Sequence, residues 1–315
     1  MAYRILNTIG KDFDPEAKKI LNTLGKVDYV IPTNQELSKK IEKYDVVVCG
    51  LGLNFNKEVL SKAKNLKFLV TATTGLDHID IKYAEEKGVK VLSLKGEDDF
   101  LNTITGTAEL ALGLLISSSR HIPSSVQSVL KGEWNREKFK GHSLNGQTLG
   151  IVGLGRLGRW MAIYGEALGM KVIFTDPKVE SSNLNWKKVG FNDLLKKSDF
   201  ISIHIHLNPE TEFLFNKKTM SLMKKNAYLI NTSRGKIVHE GDLMTVIKQK
   251  KIAGYAADVL DGEILFTKNS CKNHPLVKFA RKNPNVIIAP HTGGMTYESR
   301  RDTDIFIANK LKKFQ

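Results

Sequence analysis

Short apolar segments alternate with amphipathic segments along almost the whole chain, and this alternation constrains the fold more than any other feature. Strands that alternate with helices build parallel sheets covered by helices. In the first part of the chain, strands are predicted at Tyr3–Asn7, Val27–Ile31, Asp45–Cys49, Lys67–Thr71 and Lys90–Ser93. A second series begins at Thr148 and ends with a strand at Asn285–Ala289. The pattern predicts an α/β fold with two Rossmann-like or flavodoxin-like parallel-sheet domains.

The length of the chain, 315 residues, exceeds what one hydrophobic core holds comfortably and also favours two domains. Because the C-terminal helix is expected to return to the first sheet, residues 1–100 and 290–315 are predicted to form one domain. Residues 101–289 would form the other. The helix Thr103–Arg120 is apolar over too wide a face for a surface helix, so we expect it to pack between domains or subunits. The polar stretch Ile122–His142 is expected to be an arm.

The formal net charge of +15 raises the question of nucleic-acid binding. The lysines are spread along helix-like segments and are neither interleaved with aromatic residues nor gathered in one arm. A solvated surface is therefore the favoured interpretation, no nucleic-acid partner is predicted, and a basic nucleic-acid binder stays the weaker alternative. The charge favours anionic substrates by raising their local concentration.

The chain shows no sign of a membrane or metal protein. Its N-terminus lacks the apolar core of a signal peptide, and its most apolar later run, Leu110–Ile116, is too short to span a bilayer. Cys49 and Cys271 form no Cys-x-x-Cys pair and no cluster with histidines. We expect a cytoplasmic protein with idle thiols and no metal site.

A glycine-rich loop lies between a predicted strand, Leu149–Val152, and an amphipathic helix. In such a setting Gly153 allows a tight turn, Gly155 lets the backbone approach a pyrophosphate, and Gly158 permits close contact between helix and strand. The free N–H groups and the dipole of the helix N-terminus favour phosphate. The loop residues expected to contact a dinucleotide are Gly153, Gly155, Arg156, Leu157 and Gly158.

An acidic residue follows the next strand, as a dinucleotide site requires. Asp176 lies eighteen residues after Gly158, where a carboxylate accepts hydrogen bonds from the ribose hydroxyls of the adenosine. The same charge repels a 2′-phosphate, and the next residue is Pro177 rather than a cation. The loop therefore predicts NAD rather than NADP as the cofactor.

Three further polar residues follow predicted strands and suit the reduction of a carbonyl. They are Arg234 in Asn231–Gly235, Glu263 after the Ala257–Asp258 strand end, and His291 after Pro290. Because ligands bind beyond the carboxyl ends of parallel strands, the three are expected to converge on a cleft for cofactor and substrate between the domains. Hydride addition to a carbonyl leaves an alkoxide, which a histidine can protonate. A carboxylate beside the imidazole fixes the tautomer of the histidine, and an arginine matches the planar two-oxygen geometry of a 2-oxo carboxylate.

These motifs, together with Thr74–Asp80, Thr107–Glu109 and the stretch from His204 through Gly235, resemble the D-isomer-specific 2-hydroxyacid dehydrogenase family over nearly the whole chain. The resemblance implies that Arg234 binds substrate and that Glu263 pairs with the catalytic His291. It implies that the backbone of Thr74, Gly75 and Leu76 holds the substrate carboxylate and that Asp258 lies near the nicotinamide. Further cofactor contacts are expected from Thr107, Thr232, Ser233 and Gly293.

The function expected from these residues is the NAD-dependent interconversion of a small 2-oxo acid and its (D)-2-hydroxy acid by a homodimer that uses Thr103–Arg120. The alternatives are an NAD-responsive, corepressor-like binding protein and a phosphoglycerate dehydrogenase. The stretch Gly50–Asn54 lacks the arginine with which many relatives meet a phosphate, although Lys95 offers a charge nearby. The glutamate at 263 disfavours formate, and no further domain is expected after the last helix.

The remaining histidines receive no catalytic role. His204 fits a position near the cofactor or a satisfied place in the core. The others are interpreted as surface or packing residues; they are His78, His121, His142, His206, His239 and His274.

Overall fold

The chain divides into two compact units. The first unit consists of Met1–Ile104 and Met295–Gln315, and the second of Thr105–Gly294. The expected domain boundaries, 100/101 and 289/290, lie a few residues before these divisions and stay a prediction. Within this division His291 belongs to the second unit. The computed structural model describes three stretches of the chain: 2–180, 185–266 and 270–315.

The first unit holds a five-stranded parallel sheet. Its strands are β1 (Tyr3–Asn7), β2 (Gly25–Tyr29), β3 (Val46–Cys49), β4 (Phe68–Thr71) and β5 (Lys90–Leu92). Its first helices are α1 (Pro15–Leu24), α2 (Asn34–Lys40), α3 (Lys57–Ser61), α4 (Ile81–Glu86) and α5 (Asp98–Leu101). The strand order is β2-β1-β3-β4-β5, and all pairs are parallel. Helices between neighbouring strands make this order possible.

Local sequence sets where these helices begin. Asp14 accepts the backbone N–H groups of Glu16 and Ala17, and Pro15 occupies the first turn of α1, where its missing N–H costs nothing. Helix α2 begins with a capping box between Thr33 and Glu36. In both helices, the side chain of the residue before the helix thus accepts free N–H groups of the first turn.

The second unit holds a seven-stranded parallel sheet. Its strands are β6 (Thr148–Val152), β7 (Lys171–Thr175), β8 (Lys187–Lys188), β9 (Phe200–Ile203), β10 (Tyr228–Asn231), β11 (Gly254–Ala257) and β12 (Val286–Ile288). Its helices are α6 (Gly106–Ser119), α7 (Ile122–Leu130), α8 (Arg156–Ala167), α9 (Phe191–Lys197), α10 (Lys217–Met220), α11 (Glu240–Lys248) and α12 (Pro275–Ala280). The strand order is β12-β11-β10-β9-β6-β7-β8. The predicted α/β architecture with two parallel sheets is confirmed.

The strand order of the second unit fixes where a ligand binds. The chain proceeds from β6 to one side through β7 and β8, then returns to the other side of β6 through β9. Connections on opposite sides leave a crevice beyond the carboxyl ends of β6 and β9. The residues that follow β6, β9, β10, β11 and β12 therefore share one edge of the sheet.

The stretch Ile122–His142 differs from the expected arm. Residues Ile122–Leu130 form α7, with Pro123 in the first turn, and Arg136–Phe139 form a 3₁₀ turn. Apolar residues recur in this stretch at helical spacing, and that periodicity favours a helix over an extended arm.

One helical stretch, Asp98–Ser119, is apolar and long enough to cross a membrane by composition and length alone among the described residues. Core helices of globular proteins share this length and composition, so the feature alone does not identify a membrane span. The stretch is interrupted between α5 and α6, and α6 buries Ala111, Leu114 and Leu115 in the core of the second unit. Packing in its own unit accounts for the apolar side chains on that face.

The last helix, α13 (Tyr297–Lys312), belongs to the first unit. Its buried side chains Ile307, Ala308 and Leu311 join one core with residues of β1, β3 and α1. The C-terminal helix therefore packs with the first sheet, as the sequence pattern predicts.

Candidate functional site

The loop after β6 has the close contacts that its glycines predict. Gly153 has a φ of +91°, and a Cβ atom there would lie 2.6 Å from the carbonyl oxygen of His204. A Cβ atom on Gly158 would lie 2.0 Å from the carbonyl oxygen of Gly153, whereas none of the described atoms lies within 4 Å of a Cβ on Gly155. Arg156 and Leu157 open α8. The loop is thus folded tightly against the sheet, with Gly155 leaving room for a bound group.

Asp176 lies at the end of β7 and closes this loop. Its Oδ2 atom accepts the backbone N–H of Leu154 at 2.8 Å, and Oδ1 accepts those of Lys178 and Val179 at 2.7 and 3.1 Å. A carboxylate offers about four lone-pair positions, so it retains capacity for a ribose hydroxyl. The position fits the predicted contact with adenosine.

Two buried polar atoms beyond β9 and β10 lack hydrogen-bond partners within the described residues. They are Thr232 Oγ1 and His204 Nδ1. The other ring nitrogen of His204 lies 2.8 Å from Ser202 Oγ, and burial lowers the pKa of the ring to about 4. Unpaired buried polar atoms are costly unless a ligand satisfies them, so both fit a dinucleotide on this edge of the sheet.

Arg234 is presented by a hydrogen-bonded turn after β10. Asn231 Oδ1 accepts the N–H of Ser233 at 3.0 Å, and Asn231 Nδ2 donates to the carbonyl oxygen of Arg234 at 2.9 Å. Ser233 Oγ donates to the carbonyl oxygen of Ile203. A Cβ on Gly235 would lie 2.1 Å from the carbonyl carbon of Leu260, so glycine is required for this turn to pack against the next.

Glu263 and His291 form a direct pair. His291 Nδ1 lies 2.6 Å from Glu263 Oε1, and Glu263 Oε2 accepts the N–H of Leu260 at 2.9 Å. Because the carboxylate only accepts, Nδ1 carries the hydrogen of this bond and Nε2 is left for a substrate. His291 has a φ of 54°, a conformation that non-glycine residues rarely take and that recurs at functional sites.

The surroundings of His291 alter its proton affinity. Burial lowers the pKa of the imidazole, but the hydrogen bond and charge of Glu263 and the charge of Asp258 outweigh burial. The charge of Arg234 opposes them, and the net effect raises the pKa of His291 above its ordinary value. The ring is therefore suited to hold a proton near neutral pH.

Asp258 anchors the turn that carries His291. Its side-chain oxygens accept the N–H groups of Thr292 and Gly293, each at 2.7 Å, and its carbonyl oxygen accepts the N–H of His291 at 2.9 Å. Burial raises the pKa of the Asp258 carboxyl, and these N–H groups oppose the rise. Thr107, at the start of α6, lies beside Gly293.

The substrate residues expected in the first unit follow β4. Thr74, Gly75 and Leu76 are half-buried, and Thr73 Oγ1 donates to the carbonyl oxygen of Gly75 at 2.8 Å. The side-chain bond holds the loop in a defined conformation. Within the described residues, no group of three histidine, cysteine or acidic side chains has the arrangement of a metal site.

Sequence reasoning missed a second, partly buried carboxylate–imidazole pair in the second unit. His274, interpreted from sequence as a surface or packing residue, has its Nε2 atom 3.4 Å from Glu240 Oε2. Neither residue stands in a motif with fixed spacing to the other.

Comparison with known proteins supports the assignment of this edge. Residues 112–293 match the family model described as "D-isomer specific 2-hydroxyacid dehydrogenase, NAD binding domain". The match contains the glycine loop, Arg234, Glu263 and His291. NAD, the predicted cofactor, is confirmed by this match.

Similar proteins extend over both units. The chain is 35% identical to the D-3-phosphoglycerate dehydrogenase of Methanocaldococcus jannaschii over 95% of its length, but it spans only 55% of that relative. It is 32% identical to the hydroxypyruvate reductase of Thermotoga maritima, with 97% of this chain and 96% of the relative covered. The crystal structure of a D-lactate dehydrogenase from Aquifex aeolicus, with NAD and lactic acid, is 28% identical, with a TM-score of 0.85 and coverage of 99% and 95%.

The close contact at Gly158 yields a test of the loop. We expect Gly158→Ala to raise the dissociation constant of NAD at least about tenfold, because the added methyl group forces the helix away from Gly153. Calorimetric titration with NAD measures the effect. Gly113→Ala is the matched control, since a Cβ there meets none of the described atoms within 4 Å. Equal affinities for the two variants would contradict the role of the contact.

Proposed function

Because the chain belongs to the D-isomer-specific 2-hydroxyacid dehydrogenase family, we propose that it reduces a small 2-oxo acid to the (D)-2-hydroxy acid with NADH. The observation that carries this proposal is the 2.6 Å hydrogen bond between His291 and Glu263. It leaves a proton-donating nitrogen on the same sheet edge as the glycine loop. The product configuration is taken from the family.

The residues divide the work of carbonyl reduction. NAD, when bound, supplies or accepts the hydride. His291 Nε2 gives its proton to the oxygen that becomes the hydroxyl, while Glu263 stabilises the charged ring and fixes its orientation. Arg234 binds the 2-oxo carboxylate through its planar guanidinium and polarises the carbonyl.

Other residues hold the two reactants. We assign the loop Gly153–Gly158, Asp176, Thr107, Thr232, Ser233 and Gly293 to the cofactor, with Asp258 beside the nicotinamide. The backbone N–H groups of Thr74, Gly75 and Leu76 are assigned to the substrate carboxylate. Such N–H groups stabilise negative charge without a titrating group.

An unphosphorylated substrate such as glyoxylate or hydroxypyruvate is favoured over a phosphorylated one. The stretch Gly50–Asn54 after β3 contains no cation, and Lys310 is engaged by Glu97 and the carbonyl oxygen of Ser93. Lys95 is the exposed cation of the β5–α5 loop. One charge provides less than the bidentate contact that an arginine makes with phosphate.

The first test is NADH oxidation at 340 nm with a panel of 2-oxo acids, in phosphorylated and unphosphorylated forms. Turnover of an unphosphorylated acid supports the proposal, and preference for phosphohydroxypyruvate would move the assignment to a phosphoglycerate dehydrogenase. Tight NAD binding without turnover of any oxo acid would contradict the proposal and favour an NAD-responsive binding protein.

Loss of His291 should remove the chemistry while keeping the fold. We expect His291→Asn to lower the rate of reduction by about 10² to 10⁴-fold, since asparagine tolerates the positive φ but donates no proton. Steady-state kinetics on the best oxo acid measure the loss. His121→Asn is the matched control, because His121 has the same φ of 54° at the start of α7. Similar losses in both variants would contradict the assignment.

The raised pKa of His291 sets the pH dependence. Reduction requires the protonated ring, so its rate is full below the pKa of His291 and is lost as the pH rises through that value. We expect Glu263→Gln to move this loss to lower pH, because burial then acts without the carboxylate that opposes it. The pH profile of kcat/KM for reduction checks the shift, and an unchanged profile would contradict the pairing.

A homodimer is proposed on the exposed side chains of α7. The expected interface helix Thr103–Arg120 stays a prediction; Ala111, Leu114 and Leu115 on it pack into the core of the second unit, and α7 presents a further apolar stripe. The stripe comprises Ile122, Val126, Val129 and Leu130, exposed by 41%, 49%, 51% and 74%. Apolar stripes of this kind mark interaction surfaces.

Light scattering tests the dimer. The wild-type protein should have twice the mass of one chain in solution. The double variant Val126→Asp, Leu130→Asp should be a monomer, because burying two charges in the interface is costly. A monomeric wild-type chain would contradict the proposal.

We also propose a cytoplasmic location. Cys49 and Cys271 are free, and the exposed thiol of Cys271 suits a reducing compartment.

A further inference from the structure

A second carboxylate–imidazole pair contacts the turn that carries Glu263. Glu240, the first residue of α11, accepts the N–H of Asp261 through Oε1 at 3.0 Å. His274 Nε2 lies 3.4 Å from Glu240 Oε2 and 3.1 Å from the carbonyl oxygen of Asp261. The side chains of His274 and Glu240 are only 11% and 12% exposed. Glu240 therefore binds the N–H of Asp261, and His274 binds its C=O.

These hydrogen bonds to Asp261 fix the turn that carries Glu263. Asp261 is two residues before Glu263, and Gly262 between them has a φ of +74°. Glu263 in turn accepts the N–H of Leu260. A turn held at Asp261 and closed on Leu260 leaves Glu263 little freedom, and His291 needs its partner within hydrogen-bond distance.

The charge of Glu240 reaches the same pair. Glu240 and Glu263 repel each other electrostatically, as do Glu240 and Asp261. A negative charge near Glu263 favours a proton on the His291–Glu263 pair, since it opposes the further negative charge left by deprotonation.

Several titratable groups surround Glu240. His239, which precedes α11, and Asp242, on α11, pair with each other. Asp261 and Glu263 face it from the turn, His274 from the segment before α12, and the buried hydroxyl of Tyr255 from β11. Burial raises the pKa of the Glu240 carboxyl, while the N–H of Asp261 and the charge of His274 oppose that rise.

We propose that Glu240, held by His274, is a positioning residue for the reaction: it fixes the turn that carries Glu263 and places a negative charge near Glu263. The inference rests on the proposed function, since it gives this buried pair a role in proton transfer. It does not require Glu240 to touch the substrate.

The test separates charge from shape. Glu240→Gln keeps an oxygen for the N–H of Asp261 but removes the charge, whereas Glu240→Ala removes both. We expect Glu240→Gln to lower the midpoint of His291 protonation by about half a pH unit. NMR titration of histidine-labelled protein measures it, with the His291 signal assigned by its loss in His291→Asn.

Kinetics supply the second readout. Glu240→Gln should move the pH profile of reduction in the same direction as the NMR midpoint, and Glu240→Ala should also lower kcat about tenfold with unchanged NAD affinity. Asp242→Asn is the control, because it removes the same charge from the same helix without contacting the turn. Its His291 midpoint should match that of the wild-type chain.

The outcomes distinguish this inference from the proposed function. An unmoved His291 midpoint in Glu240→Gln overturns the inference even where oxo-acid turnover is normal, and so does an equal shift in Asp242→Asn. A shifted midpoint in a protein that turns over no oxo acid supports the coupling, and it is then the proposed reaction that fails.

Discussion

The hydrogen bonds to the buried carboxylate of Asp258 are the interaction on which the site depends. Asp258 is only 2% exposed, and an isolated buried carboxylate costs on the order of several kcal/mol. The N–H groups of Thr292 and Gly293 offset that cost and tie the end of β11 to a turn more than thirty residues later in the chain. His291 lies inside this turn, and Glu263 follows Asp258 by five residues. Both members of the pair are thus located from one anchor.

The turns beyond β10 and β11 reinforce each other. Gly235 lets the turn that carries Arg234 pack against the backbone of Leu260, which itself donates to Glu263. Asn231 donates to the carbonyl oxygen of Arg234 in the same turn and to the buried hydroxyl of Tyr255 at 3.3 Å. Because buried polar groups must all be satisfied, these hydrogen bonds favour one arrangement of Arg234, Glu263 and His291 over less ordered arrangements.

The sequence predicted those features that local pattern controls. The strand Tyr3–Asn7 was predicted at the bounds that the structure has, because an apolar run between polar residues marks it. Helix α7 was missed, since its apolar stripe faces outward and its polar residues suggested a loop. The Glu240–His274 contact joins residues thirty-four positions apart, and no local pattern encodes such a distance. Pairing of Glu263 with His291 was expected only because a family resemblance supplied it.

The three backbone N–H groups that Asp176 accepts have a consequence for cofactor preference. Asp176 is the residue that would be exchanged to admit a 2′-phosphate. It also holds the glycine loop and the segment after β7 through these hydrogen bonds. A change of Asp176 to a small neutral residue would make room for the phosphate. It would also leave the three backbone N–H groups that hold the loop in shape without an acceptor. Adaptation of this chain to NADPH would therefore demand a substitute acceptor for those donors, so selectivity and loop integrity cannot evolve independently at this position.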